Sequence, residues 1–86
     1  NRDKNPALLK MRARAMRNSG DLDNCINFYR MHLMSYPDDT DCLIEMVEAI
    51  KNIGADFADD LNKYSEMTRD RQQLDEWLSK NGVPHR

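Results

Sequence analysis

The sequence is short of residues that interrupt regular structure and of residues that staple it together. Its 86 residues include three Gly and three Pro, too few for a loop-rich or all-β chain, and each Gly stands where a helical pattern stops. Two cysteines, Cys25 and Cys42, make no disulfide framework, and a reducing compartment is the default they set. No apolar run is long enough to cross a bilayer, and no segment has the apolar stretch of a secretory signal. Neither sign of charge prevails. Thirteen Lys and Arg against fifteen Asp and Glu leave a net −2, which gives no general reason to expect nucleic acid or an anionic membrane as partner. These absences point to an intracellular, cytoplasmic setting. The chain opens at Asn1 and not at Met, as expected of a segment excised from a longer polypeptide.

What remains favours helix. Apolar residues make up 40% of the chain and charged residues 33%, enough for packed helices with a solvated exterior in one small domain. Asn5-Pro6 is a cap followed by a first-turn proline. Ala7, Leu8, Leu9, Met11, Ala13, Ala15 and Met16 then give a wide apolar face, which Gly20 ends. Asp21 can cap a second helix with the stripe Leu22, Cys25, Ile26, Tyr29 and Leu33, stopped by Tyr36-Pro37. Asp39 or Thr40 can cap a third, carrying Leu43, Ile44, Met46, Val47 and Ile50 up to Gly54. Asp56 can open a fourth with Phe57, Leu61, Tyr64 and Met67. Beyond it, either Thr68 caps a fifth helix bearing Leu74, Trp77 and Leu78, or one helix runs through residues 55–81; Thr68 with Asp70 in the first turn favours the break.

The chain also repeats itself. Leu9 recurs as Leu43, Ala13 as Val47, Met16 as Ile50 and Gly20 as Gly54, every pair 34 residues apart. With one residue inserted, Leu22 recurs as Phe57, Ile26 as Leu61 and Tyr29 as Tyr64. Two helix-turn-helix units of similar length follow one another. Their period and pattern resemble the tetratricopeptide repeat, through Gly20, Asp21, Ile26, Tyr29, Leu33 and Pro37 in the second helix. In the first helix the resemblance rests on Leu9, Ala13 and Met16. The first unit matches well and the second is degenerate. Arg12 stands where a Leu-like residue is expected, His32 replaces a small residue, Asp60 falls on an Ala site, and no Pro closes the second unit. The resemblance implies an all-α fold of antiparallel helix pairs stacked as a short right-handed array. Repeat 1 would span residues 6–39, the degenerate repeat 2 residues 40–67, a capping helix residues 68–81, and a tail residues 82–86. Stacking matters physically because one helix pair cannot bury its apolar face alone.

No catalytic set emerges, and no cofactor or metal is expected. His32 has no ligand-type residue four positions away on its own helix, and His85 lies in the tail. Cys25 and Cys42 have the wrong spacing for a zinc site. Cys25 reads as core; Cys42 lies near a helix start, a position that can lower a thiol pKa, although an inert residue is the plainer expectation. Asp38, Asp39 and Asp41 look like half a calcium loop without its Gly and distal Glu, and helix capping accounts for them better. Six methionines at helical spacing read as gap-filling core before they read as an adaptable surface.

Charge is distributed unevenly. Residues 2–17 carry Arg2, Lys4, Lys10, Arg12, Arg14 and Arg17 against Asp3 alone, while residues 38–60 carry eight acids against Lys51. Lys10, Arg14 and Arg17 share one helix face at i, i+4 and i+7. The resemblance implies that this face lines a concave groove with Glu45, Glu48 and Asn52 of the third helix. Lys10 matches a carboxylate-clamping position of the family, whereas Arg14 and Glu45 replace the expected Asn residues, so the full clamp is absent. An ordinary solvated face, with its cations salt-bridged to acidic neighbours, is the competing reading. The functional expectation is a non-enzymatic adaptor or assembly module that docks a peptide or helix of a partner protein. The alternatives are a small nucleic-acid-binding domain using the basic first helix, and a homo-oligomerisation module; the oligomeric state stays open.

Overall fold

A computed structural model describes residues 8–83, and the Asn5-Pro6 helix start, the cations Arg2 and Lys4, and His85 of the tail lie outside the described residues. Among the described residues the chain forms five α-helices: α1 (Leu8–Asn18), α2 (Leu22–Ser35), α3 (Thr40–Asn52), α4 (Ala58–Ser65) and α5 (Arg71–Lys80). The fold is all-α, as the periodicity predicts. No helix among these residues is long and apolar enough to cross a membrane.

The helix ends follow local chemistry. Asp21, Asp39 and Asp70 are N-caps whose carboxylates accept from the backbone N–H groups of Asn24, Cys42 and Gln73 at 3.3, 3.1 and 3.0 Å. α4 is the exception to the expected capping: Phe57, and not Asp56, is its N-cap and makes no side-chain cap bond, while Asp56, one residue earlier, accepts from Ala58 N–H at 2.9 Å. α1, α3 and α5 all end in one motif. Gly20, Gly54 and Gly82 take positive φ of 89°, 76° and 67°, and the following residue donates back to the fourth-last carbonyl of the turn: Asp21 to Met16, Ala55 to Ile50, Val83 to Leu78. Only glycine adopts that left-handed conformation without strain.

The expected break between the last two helices is present, but its cap is Asp70 and not Thr68. The Thr68 hydroxyl is engaged elsewhere, 2.5 Å from that of Thr40, a contact no local pattern announces. α4 is short, so Met67 falls beyond it and stays 45% exposed.

α3 is the centre of the core. Seven of its residues are buried: Thr40, Cys42, Leu43, Met46, Val47, Ala49 and Ile50. α2 adds Cys25, Ile26, Tyr29, His32 and Leu33, while α4 and α5 add Leu61, Tyr64, Leu74 and Leu78. Each fully buried large aliphatic side chain is worth about 2 kcal/mol before entropy is charged. α1 buries only Ala13 completely. Cys25 and Cys42 are core residues, free thiols fully shielded from solvent. The methionines divide: Met46 is buried, whereas Met11, Met31, Met34 and Met67 are exposed.

α2 and α3 run antiparallel: Tyr29 reaches Glu45, and His32 reaches Asp39, across the turn between them. α1, α3 and α5 run side by side in the same direction. Lys10 meets Asp39 and Arg14 meets Glu45 between α1 and α3. Thr40, Asp41 and Glu48 meet Asp70, Gln73 and Trp77 between α3 and α5. α1, α3 and α5 therefore share one layer. Arg30 bridges α2 to Asp60 of α4 on the other. The thin dimension of the molecule, 18 Å, suits two layers of helices packed 8–10 Å apart.

Candidate interaction face

The layer formed by α1, α3 and α5 carries the polar residues singled out above. α3 places Asp41, Glu45, Glu48 and Asn52 on one stripe at i, i+4, i+7 and i+11. Contacts on either side locate this stripe: Glu45 reaches toward α1, while Asp41 and Glu48 reach toward α5. The stripe lies between the two outer helices of the layer.

Glu45 is the hub. Its carboxylate accepts from Arg14 Nε at 2.8 Å and Nη2 at 2.5 Å, and from the buried Tyr29 hydroxyl at 2.6 Å. Arg17 Nη1 stands 4.0 Å away. Burial works to raise the Glu45 carboxyl, but the hydrogen bonds from Arg14 and Tyr29 outweigh it and hold its pKa below the ordinary carboxylate value. The same bond pushes Arg14 further up, and burial with the Glu45 contact pushes the Tyr29 phenol up.

A second junction lies at the α2–α3 turn. Lys10 Nζ lies 2.9 Å and His32 Nε2 2.8 Å from Asp39 Oδ2, while Asp39 Oδ1 caps α3. Burial pulls the Asp39 carboxyl up, and Lys10, the Cys42 N–H and His32 pull it down by more. His32 is thus a packed interface histidine; its Nδ1 is buried and lacks a partner among the described residues. Among those residues no group of three or more His, Cys, Asp or Glu could hold a metal ion. The start of α3 does not activate Cys42. Burial, with Asp39 beside it, raises its thiol pKa.

Of the six residues expected to face a ligand, the structure brings five into internal contacts. Lys10 pairs with Asp39, Arg14 and Arg17 with Glu45, and Glu48 accepts from Trp77 Nε1 at 3.0 Å. Asn52 is exposed. Any incoming carboxylate would have to compete with Glu45, already in place at the effective concentration of an intramolecular partner. The cations of the face are thus paired internally, whereas Asp41 and Glu48 accept only from the neutral Gln73 and Trp77; Asp41, Asn52 and one side of Arg14 remain exposed. Tyr29, Gln73 and Trp77 also build it. Spacing offers one signal for the last two: the contacts joining α3 to α5 link residues 28–32 apart, like the 31 between Arg14 and Glu45.

Comparison with protein-family models, with curated proteins and with solved structures found no match for this chain.

Proposed function

We propose that this domain is a non-enzymatic protein-interaction module that docks a peptide or helix of a partner along the α1–α3–α5 face, in the manner of a short tetratricopeptide-like array. One observation carries the reading: α1, α3 and α5 lie side by side in the same direction and end in the same glycine motif, which supports a continuous surface built by repetition. The cations of that surface are paired internally, so recognition there works through shape, through neutral hydrogen-bonding groups such as Asn52 and through the exposed Asp41, and not through a free anion clamp.

The test is site-specific photo-crosslinking in cells of the source organism. A crosslinker at Asn52 captures a discrete partner polypeptide, while one at Asn27, exposed on α2, does not. Capture from Asn27 alone would move the binding surface to the other side of the molecule. The basic first helix gives less support to a nucleic-acid reading, because Lys10, Arg14 and Arg17 already face carboxylates. Steep weakening of DNA or RNA binding with salt would revive it.

A further inference from the structure

The two ends of the array are finished differently. At one end, α5 turns Leu74 and Leu78 inward and presents Gln72, Asp75, Glu76 and Ser79 outward, a stripe at i, i+3, i+4 and i+7 that is polar throughout. That is how a terminal helix avoids needing a neighbour. At the other end, α1 presents a stripe of the same spacing: Leu8, Met11, Arg12 and Ala15. It lies opposite the face where Ala13 is buried and where Lys10, Arg14 and Arg17 meet acids of the α2–α3 turn and α3. Three of its four residues are apolar. Met11 is 55% exposed, Ala15 is exposed and Leu8 is incompletely covered.

Charge indicates what fits there. The other cations of α1 each have a carboxylate, whereas Arg12 is exposed and has no partner among the described residues. A second copy fits poorly in either orientation. Head to head it brings two Arg12 side chains into one interface with no carboxylate on either stripe, and head to tail it offers Arg12 the carboxylates of Asp75 and Glu76 but gives Leu8 and Met11 no apolar partner. We infer that the outer face of α1 is a docking site for an amphipathic helix of another protein, its apolar side chains seated on Leu8, Met11 and Ala15 and a carboxylate opposite Arg12. Ala15 lets the two backbones approach closely, and the helix would extend the layer of α1, α3 and α5 by one member. This surface is distinct from the α1–α3–α5 face and stands or falls separately from it.

The experiment uses the whole chain and a synthetic helix with a Leu stripe rimmed by Glu, titrated by fluorescence anisotropy, with light scattering on the chain alone. The chain is expected to be monomeric and to bind the Glu-rimmed helix. Met11→Lys should abolish binding. Arg12→Glu should weaken it roughly fivefold or more, and a Lys-rimmed helix should bind the Arg12→Glu variant better than it binds the wild type. Both positions are exposed, and circular dichroism confirms that the variants stay folded. No binding, equal binding by wild type and Arg12→Glu, or a dimer that Met11→Lys dissociates would each overturn the inference; the last would show that a second copy covers the face.

Discussion

Replacing Glu45 by Gln keeps the side chain's size and one acceptor for the Tyr29 hydroxyl, and removes the charge on which the hub depends. The pair with Arg14 is partly solvated, with 44% of the Arg14 side chain and 18% of the Glu45 side chain exposed, so its share is that of a surface ion pair, about 0.2–1 kcal/mol. The Tyr29 hydroxyl bonds a charged acceptor from a residue with no exposed surface; exchanging that for a neutral acceptor costs about 1 kcal/mol. Together the loss at neutral pH comes to about 1–2 kcal/mol, or roughly 4–16 °C in Tm for a domain of this size. The pH dependence is more diagnostic. The Glu45 carboxyl has its pKa lowered in the folded state, so its stabilisation is fully present above the unfolded value near 4.3 and is lost as pH falls through the folded value. Wild type and Glu45→Gln should therefore differ most near pH 7 and converge in acid. Both should keep a residual acid slope from Asp39, whose pKa is also lowered. Urea unfolding followed by Trp77 fluorescence at a series of pH values reads this directly. A difference under about 0.5 kcal/mol at pH 7, or a gap that stays constant down to pH 3, would refute the hub.

Three further outcomes follow from the same geometry. Thr40→Val should cost about 1–2 kcal/mol in chemical denaturation, because the buried hydroxyl accepts from Asp70 N–H at 2.9 Å and pairs with Thr68; a neutral substitution would mean that the link from α3 to α5 contributes nothing. Leu78→Ala, inside the α3–α5 interface and 2% exposed, should cost about 2–5 kcal/mol, whereas Ser79→Ala on the outer side should fall within about 0.5 kcal/mol. Cys25 and Cys42 are buried with thiols pushed up mainly by desolvation, so alkylation at neutral pH should proceed at the rate of unfolding. Labelling of the native protein as fast as a free thiol would place them at the surface.

Much of the fold could be read in advance where the controlling interaction is local. Asp21 and Asp39 as caps, Gly20 and Gly54 as stops, and the stripes of α2 and α3 all depend on residues within one or two turns. The cap of α5 was less legible because Thr68 is occupied by Thr40, 28 residues away. The methionines could not be sorted by spacing, since a wide apolar face does not reveal which of its edges finds a neighbour: Met46 sits inside the α3 core and Met34 remains 77% exposed. The cation row of α1 was visible as a row, and the acidic middle of the chain hinted at its partner. Which acids it meets, and that Glu45 alone takes both arginines and Tyr29, depends on the stagger between stacked helices, which no window of sequence contains.

The direction in which α5 lies along α3 tests the layered arrangement most directly, and nuclear Overhauser contacts between the two helices report it. Side-by-side helices of like direction predict cross-peaks from Thr68 to Thr40 at one end and from the Trp77 indole to Glu48 at the other. Indole contacts to Thr40 or Asp41 would show the helix reversed and contradict the account.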